Sequence, residues 1–129
     1  MKTISEVRKL PEDKGLESMA SAHFGNVPFF AFIELENKQV RNVYVKVNRA
    51  ARIARKRGIG AAQFLVDEKV DVVLAGGMGE GPFHLLRDNL IQICVLPERV
   101  ELKEGIRLFN ENKLERMAIP FEMNGTNDK

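Results

Sequence analysis

The chain lacks several residue types on which common classes of site depend. Its 129 residues include one cysteine, Cys94, and no tryptophan. A single thiol excludes a disulfide within the chain and any zinc or iron–sulfur site that one chain builds from several cysteines. No apolar segment approaches the ~20 residues that span a bilayer. Residues 1–6 lack the apolar core of a signal peptide, so we expect the protein to lie in the cytoplasm and not in a membrane.

One long stretch has no acidic residue. Between Asn37 and Val66 the chain carries eight of its 20 bases and none of its 18 acids, although its net charge is only +2. Such an asymmetry is typical of a surface that meets an anionic partner. An ordinary solvated face, balanced by acids elsewhere in the fold, explains the pattern equally well. The eight bases are Lys38, Arg41, Lys46, Arg49, Arg52, Arg55, Lys56 and Arg57.

Length and periodicity predict one α/β domain over residues 1–118 and a flexible tail over residues 119–129. The second and third strands, joined by a turn at residues 36–39, should form an antiparallel hairpin. Later strands alternate with helices, so we expect a mixed sheet covered by helices. Strands are predicted over residues 3–10, 27–36, 40–47, 70–75 and 91–96, and helices over residues 61–69, 82–89 and 100–112.

Two segments between these elements are harder to assign. Residues 11–26 form an irregular loop of a length that is often functional. Residues 49–57 are either a basic helical turn or an extended arm, and propensity does not decide between them. Gly58 and Gly60 should interrupt helical structure before residue 61. The predicted buried helix positions are Ala62, Phe64, Leu65 and Val66 in the first helix, and Leu102, Ile106, Leu108 and Phe109 in the last.

A glycine-dense segment follows the apolar strand at residues 70–75. Gly76, Gly77, Gly79 and Gly81 lack Cβ, so the backbone can take positive φ there and approach a ligand closely. Pro82 suits the first turn of a helix, and unpaired amide N–H groups at such a turn attract anions. A tight strand-to-helix connection without any ligand is the competing interpretation.

Two blocks of sequence are similar to a known family. The first contains Leu16-Glu17-Ser18, His23-Phe24-Gly25 and Pro28-Phe29-Phe30, and the second contains residues 61–65 and 70–79. Together they resemble the dinitrogenase iron–molybdenum cofactor-binding domain family, over about residues 16–115. The resemblance implies a ribonuclease H-like α/β fold with a mixed five-stranded sheet and three helices. It also implies kinship with proteins that carry or help to assemble the nitrogenase metal cluster and related molybdenum-containing sulfide clusters.

The resemblance also implies a site between the His-Phe-Gly loop and the glycine segment. Carried over, it makes His23 a ligand of the metal or a hydrogen-bond partner of the cluster. Segment 49–57, which is glycine-rich in the family, is basic here and would add Arg52 to the rim. A metal–sulfide cluster with organic acid groups is a bulky soft anion, which suits imidazole, amide donors and a basic rim. The cofactor-binding set is His23, Phe24, Gly25, Gly76, Gly77, Met78, Gly79 and Arg52.

Several of these residues also have a purely structural interpretation. A lone histidine is more often hydrogen-bonded within the fold than a ligand, and Met78 would fill a gap in the core. His84 falls on the surface of the second helix unless Pro82 turns it inward. Cys94 should be an inert core thiol, and Glu80 should favour the start of its helix.

The sequence argues against catalysis. Ribonuclease H chemistry needs several carboxylates around two metal ions. The predicted strand at residues 70–75 is followed by Gly76 and ends in Ala75 without a carboxylate, and the first strand offers only Glu6. We therefore expect a non-catalytic carrier of an anionic metal–sulfur cluster, with cluster-assembly proteins as partners. The alternative is an interaction module that binds nucleic acid or an acidic protein through residues 49–57. That segment has no interleaved aromatic residues, so base stacking finds no support. The oligomeric state is left open.

Overall fold

A computed structural model describes residues 2–8, 24, 29–48, 57–97 and 100–120, with only the backbone described for residues 2–8 and 57. Within these ranges the chain forms five strands and three helices. They are β1 (Lys2–Arg8), β2 (Phe29–Glu36), β3 (Gln39–Val47), α1 (Arg57–Asp67), β4 (Val72–Ala75), α2 (Glu80–Asp88), β5 (Gln92–Val95) and α3 (Leu102–Asn110).

The strands form one mixed sheet in the order β3-β2-β1-β4-β5. β2 pairs antiparallel with both β1 and β3, whereas β4 pairs parallel with both β1 and β5. The predicted hairpin of the second and third strands and the parallel pairing of the later strands are therefore confirmed. The mixed α/β class with three helices is confirmed as well.

The turn between β2 and β3 consists of two residues, Asn37 and Lys38. Asn37 and Lys38 both have left-handed backbone conformations, with φ of 54° and 67°. Two consecutive positive φ values are what a two-residue type I′ turn requires, and its twist matches that of the flanking strands. A register shift at Glu34/Leu35 adds a bulge close to this turn.

The sheet separates two apolar clusters. β4 alternates between them, since Val73 and Ala75 join one cluster while Val72 and Leu74 join the other. Burial on both faces explains why this strand reads as a continuous apolar run. α1 and α2 contribute Leu65 and Leu86 to the first cluster, and α3 contributes Leu102 and Ile106 to the second.

All three helices end in the same hydrogen-bonded motif without a glycine. After α2, the Leu90 N–H donates to the Arg87 carbonyl and the Ile91 N–H donates to the Leu86 carbonyl. This is the Schellman arrangement, in which the residue after the C-cap takes positive φ. Here that residue is Lys69, Leu90 or Asn112, with φ of 61°, 63° and 59°.

The predicted start of the first helix is wrong. α1 begins at Arg57, so Gly58 and Gly60 lie inside the helix and do not interrupt it. Glycine is favoured at position 58 because a β-carbon there would lie only 2.9 Å from Cγ of Pro82. The basic segment at residues 49–57 lies outside the described residues except for its last member, the backbone of Arg57.

Side-chain burial follows the predicted stripes in part. In α1, Ala62 and Leu65 are buried as predicted, together with Ala61, whereas Phe64 and Val66 are half-buried. In α3, Leu102 and Ile106 are buried, but Leu108 and Phe109 are only half-buried.

The chain after α3 returns to the sheet. Met117 is 2% exposed and its N–H donates to the Ile93 carbonyl over 2.9 Å. Residues 121–129 of the predicted flexible tail lie outside the described residues, so the boundary at 118/119 stays a prediction. Among the residues described, no helix is both long and apolar enough to cross a membrane.

Candidate functional site

β1, β3, β4 and β5 end on the same side of the sheet, and β2 begins there. We call this side, formed by strand ends, the carboxyl edge. Phe29, the first residue of β2, pairs with Arg8 at the end of β1 and with Val47 at the end of β3. On the parallel side, Ala75 at the end of β4 pairs with Val95 at the end of β5. In sheets with parallel strands, ligands collect outside these carboxyl ends.

The connections that leave the carboxyl edge contain every residue of the predicted binding set. Residues 9–28 join β1 to β2, residues 48–56 join β3 to α1, and residues 76–79 join β4 to α2. His23, Gly25 and Arg52 lie outside the described residues, and their predicted roles stay predictions. Phe24 and residues 76–79 are described.

Phe24 is a core residue. Its side chain is 3% exposed, and its ring centroid lies 5.7 Å from that of Phe30 in a tilted arrangement. It belongs to the same apolar cluster as Ala75 and Met78. The central residue of the His-Phe-Gly motif is therefore buried in the same apolar cluster as two residues of the glycine segment and its strand, Met78 and Ala75.

The glycine segment is the predicted strand–loop–helix unit. Gly76 and Gly77 are buried. Gly79 is the N-cap of α2 and makes no side-chain cap hydrogen bond, while its carbonyl accepts from the Phe83 N–H over 3.1 Å. Glu80 lies in the first turn of α2, where a carboxylate favours the helix dipole as predicted.

The glycines of this segment serve different purposes. Gly79 has φ of −76°, which any residue adopts, so a left-handed backbone is not its reason. Gly81 lies inside α2, where a β-carbon would be 2.7 Å from Cγ1 of Ile59 on α1. Gly81 therefore has a structural role, since it allows two helices to pack closely, and approach of a ligand to its backbone stays a prediction.

The three remaining candidate side chains behave as structural residues. Met78 is 2% exposed within the first apolar cluster, so its thioether fills the core. His84 is exposed on α2, with its ring edge-on to Phe83 at 5.2 Å between centroids. Cys94 is 2% exposed and accepts a hydrogen bond from Nε2 of Gln92 over 3.4 Å, which confirms the prediction of a buried core thiol.

Part of the acid-free stretch is balanced by acids from outside it. Lys46 Nζ lies 2.7 Å from Oε1 of Glu68, and Arg41 Nε lies 3.1 Å from Oε1 of Glu36. The interpretation as a balanced solvated face is therefore confirmed for these two bases. Both pairs are exposed, and pairs of this kind contribute only about 0–1 kcal/mol each.

Tyr44 lies beside one of these ion pairs. Its ring stacks on Phe32 at a centroid distance of 5.2 Å, and Lys46 Nζ lies 5.8 Å from its centroid. Burial raises the pKa of the Tyr44 hydroxyl above 10.0, and the Glu34 carboxylate raises it further while Lys46 opposes the shift.

Sequence patterns did not reveal a cavity at the opposite edge of the sheet. A cavity of about 520 Å³ lies between the β2–β3 turn and the end of α3. Asn110 Nδ2 donates to the Lys38 carbonyl across it over 2.8 Å. The positive φ values of Asn37, Lys38 and Asn112 shape this region, and only the Asn-rich composition of the two turns hints at it. Among the described residues, no group of three or more His, Cys, Asp or Glu side chains is arranged to hold a metal ion.

Comparison with known proteins links this geometry to a family. The sequence model described as dinitrogenase iron–molybdenum cofactor matches residues 10–112 of the chain. An uncharacterized protein of Methanocaldococcus jannaschii is 25% identical over 96 residues, which are 74% of this chain and 80% of that protein.

Solved structures show the same fold. The apo form of the orange protein from Desulfovibrio gigas is similar with a TM-score of 0.83 at 20% identity, over 95% of this chain and 98% of that chain. A Thermotoga protein described as a proposed NifB protein is similar with a TM-score of 0.74 at 22% identity, over 100% of both chains. At these identities the likeness concerns the fold alone.

Proposed function

Because the chain belongs to the dinitrogenase iron–molybdenum cofactor family, we propose that it binds an anionic metal–sulfur cluster and carries it without changing it chemically. The cluster, of the iron–molybdenum cofactor type or a related molybdenum sulfide, is cargo. We further propose that the chain gives the cluster to, or receives it from, proteins of cluster assembly.

One observation supports this proposal, namely that the connections containing the predicted binding residues all join strand ends at the carboxyl edge. An extended chain spans at most about 3.6 Å per residue. The six-residue step from Phe29 to His23 can span at most about 22 Å. The five-residue step from Val47 to Arg52 can span at most about 18 Å. Topology therefore allows the imidazole, the arginine and the Gly76–Gly79 backbone to surround one ligand.

The chemistry of the described residues favours an anion held by the main chain. α2 begins at an N-cap without a side-chain acceptor, and the positive end of its dipole lies at the glycine segment. The described residues offer no cage of metal-binding side chains. Such a site would hold a preformed cluster by hydrogen bonds and charge, with His23 as its direct ligand. A carrier must also release its cargo, and this mode of binding suits release.

Two finer statements belong to the same proposal. The strand order β3-β2-β1-β4-β5 with an antiparallel β2 supports the ribonuclease H-like classification. Ala75 and Gly76 at the end of β4 leave no carboxylate there for metal-assisted hydrolysis, which supports a non-catalytic role. The cytoplasmic location stays a prediction.

The proposal is tested with tetrathiomolybdate, a molybdenum sulfide anion with visible absorption. Purified protein, handled without air, is titrated with this probe, and binding is followed by the shift of its absorption band and by equilibrium dialysis. We expect His23→Ala to weaken uptake by about tenfold or more. His84→Ala is the matched control, because His84 is exposed on α2, and it should bind like the wild type. Equal binding by both variants and the wild type would remove His23 from the site.

A thiol control is needed because molybdenum sulfides react with cysteine. Cys94→Ala should leave uptake unchanged, since Cys94 is buried in the apolar cluster on the α3 side of the sheet, whereas Phe24 and Met78 belong to the cluster on the other side. Loss of uptake in this variant alone would assign binding to the thiol and contradict the proposed site.

A further inference from the structure

The two outer strands of the sheet, β3 and β5, differ in what pairs with their outer side. β5 is covered, because the Val95 N–H donates to the Glu115 carbonyl over 2.8 Å and the Met117 N–H donates to the Ile93 carbonyl over 2.9 Å. A bridge between Cys94 and Arg116 completes this contact. β3 lies at the other edge, and within the described part of the chain it pairs only with β2.

β3, which pairs only with β2 among the described residues, has the length and the surface of a pairing site. β3 spans nine residues and exposes Val40 and Val47, at 40% and 51%, near its two ends. An uncovered edge presents a row of unpaired N–H and C=O groups that can template another strand. Peptides that add to such an edge gain main-chain hydrogen bonds for affinity and side-chain contacts for specificity.

The charge of this edge selects the partner. Arg41 and Lys46 are exposed on β3, and the turn before it carries Lys38. β3 itself contains no acid, and the carboxylates beside it come from neighbouring elements, namely Glu34 and Glu36 of β2 and Glu68 after α1. The partners of Arg41 and Lys46, Glu36 and Glu68, hold them in exposed ion pairs, which exchange at little cost.

A second copy of this chain fits less well. Antiparallel pairing of two β3 strands would bring the bases of both acid-free stretches together, and like charges across a sheet are destabilising. An acidic strand meets the same bases with opposite charge.

We propose that the outer edge of β3 binds an extended acidic segment of another protein by strand addition. This surface is distinct from the glycine segment, and the inference does not depend on cluster binding. The carrier would thereby be able to hold a partner protein through β3 while its cargo occupies another part of the molecule.

The test uses a fluorescein-labelled nine-residue peptide of alternating glutamate and valine. Binding is measured by fluorescence anisotropy, and backbone hydrogen exchange of the protein is measured with and without the peptide. We expect every second amide of β3 to become protected, because alternate N–H groups of an edge strand point outward. The same peptide with a central proline should bind less well, since proline removes a ladder donor.

Charge variants complete the test. Arg41→Glu/Lys46→Glu should weaken peptide binding by about tenfold. The control Lys103→Glu/Lys113→Glu makes the same change in net charge on and beyond α3, and it should retain the wild-type affinity. Protection on both sides of β3 in the free protein, together with a dimer by sedimentation, would assign the edge to a second copy and overturn the proposal. Binding of a single-stranded oligonucleotide without binding of the peptide would overturn it too, as would peptide binding without alternate protection of β3.

Discussion

Gly81 of α2 lies directly against Ile59 of α1, so close that a β-carbon on Gly81 would stand 2.7 Å from Cγ1 and 2.9 Å from Cδ1 of Ile59. The neighbouring contact has the same form, since a β-carbon on Gly58 would stand 2.9 Å from Cγ of Pro82. One glycine from each helix thus faces a bulky side chain of the other. This reciprocal contact sets how closely α1 and α2 approach on one face of the sheet.

We expect Gly81→Ala to destabilise the protein by about 1–2 kcal/mol, because the new methyl group overlaps a β-branched side chain that is stiff within a helix. In an Ile59→Ala background the same change should stabilise by about 0.5–1 kcal/mol, since alanine favours a helix interior over glycine. Denaturant unfolding of the four proteins of this double-mutant cycle measures the coupling. The same sign of effect in both backgrounds would contradict the proposed contact.

Leu90 offers a route to higher stability. It is 94% exposed and has φ of 63°, so it adopts a left-handed conformation without packing in return. A non-glycine residue in this conformation costs about 1–2 kcal/mol of stability. Replacement by glycine removes this cost but also raises the conformational entropy of the unfolded chain, which offsets part of the stabilisation.

Leu90→Gly should therefore stabilise the protein by about 0.5–1 kcal/mol. Leu90→Ala keeps the left-handed penalty and should change the free energy of unfolding by less than about 0.5 kcal/mol. Thermal unfolding of both variants tests this. A destabilised Leu90→Gly would mean that the leucine side chain packs against something.

Tyr44 is the only tyrosine, and the chain has no tryptophan, so its ionisation can be followed by absorbance without interference. Burial and Glu34 raise its pKa, and the folded protein should therefore titrate above 10.0, with a return towards 10.0 in denaturant. Because the folded-state pKa is the higher one, this group contributes stability below pH 10, which is lost as the pH rises through the folded value.

Two variants check the assignment of Tyr44. Lys46→Gln should raise the pKa further, because Lys46 lowers it in the native protein. Tyr44→Phe should remove this part of the alkaline loss of stability. A titration midpoint at or below 10.0 in the folded protein would contradict the burial of the hydroxyl.

Two variants of Met78 distinguish a role in the core from a role as a ligand. Met78→Ala should cost about 2–4 kcal/mol of stability, because the side chain is almost fully buried. Met78→Leu conserves volume and should cost less than about 1.5 kcal/mol. Tetrathiomolybdate uptake by Met78→Leu should equal that of the wild type, since only the backbone of this residue is proposed to line the site. Loss of uptake with stability retained would make the thioether a ligand.

Periodicity predicts those strands and helices whose sequence pattern has one physical cause, such as burial or a single turn. β4 was predictable because burial on both faces leaves only apolar residues, and the β2–β3 hairpin because one turn separates two alternating strands. The start of α1 was not predictable from local pattern. Gly58 and Gly60 disfavour a helix in isolation, and only the close approach of Pro82 of α2 gives a reason for glycine at position 58.

Some parts of the candidate site could likewise be predicted from the sequence, and others could not. The glycine segment could be located from the sequence because a strand, a turn and a helix follow each other along the chain. Its relation to the His23 and Arg52 segments depends on strand order, which local pattern does not encode. The structural roles of Met78 and Gly81 required knowledge of what packs against them, and the covered edge of β5 depends on residues 115–117 returning from beyond α3.

The backbone amides of the glycine segment can be observed by NMR while the ligand binds. Isotope-labelled protein is titrated with tetrathiomolybdate, and the amide resonances of Gly76, Gly77, Met78 and Gly79 are followed by NMR. We predict that these four resonances shift together, with a midpoint equal to that of the visible absorption change. His23→Ala should displace both midpoints to higher concentration. Shifts confined to the opposite edge, around Asn37 and Asn110, with the glycine segment unmoved, would contradict it.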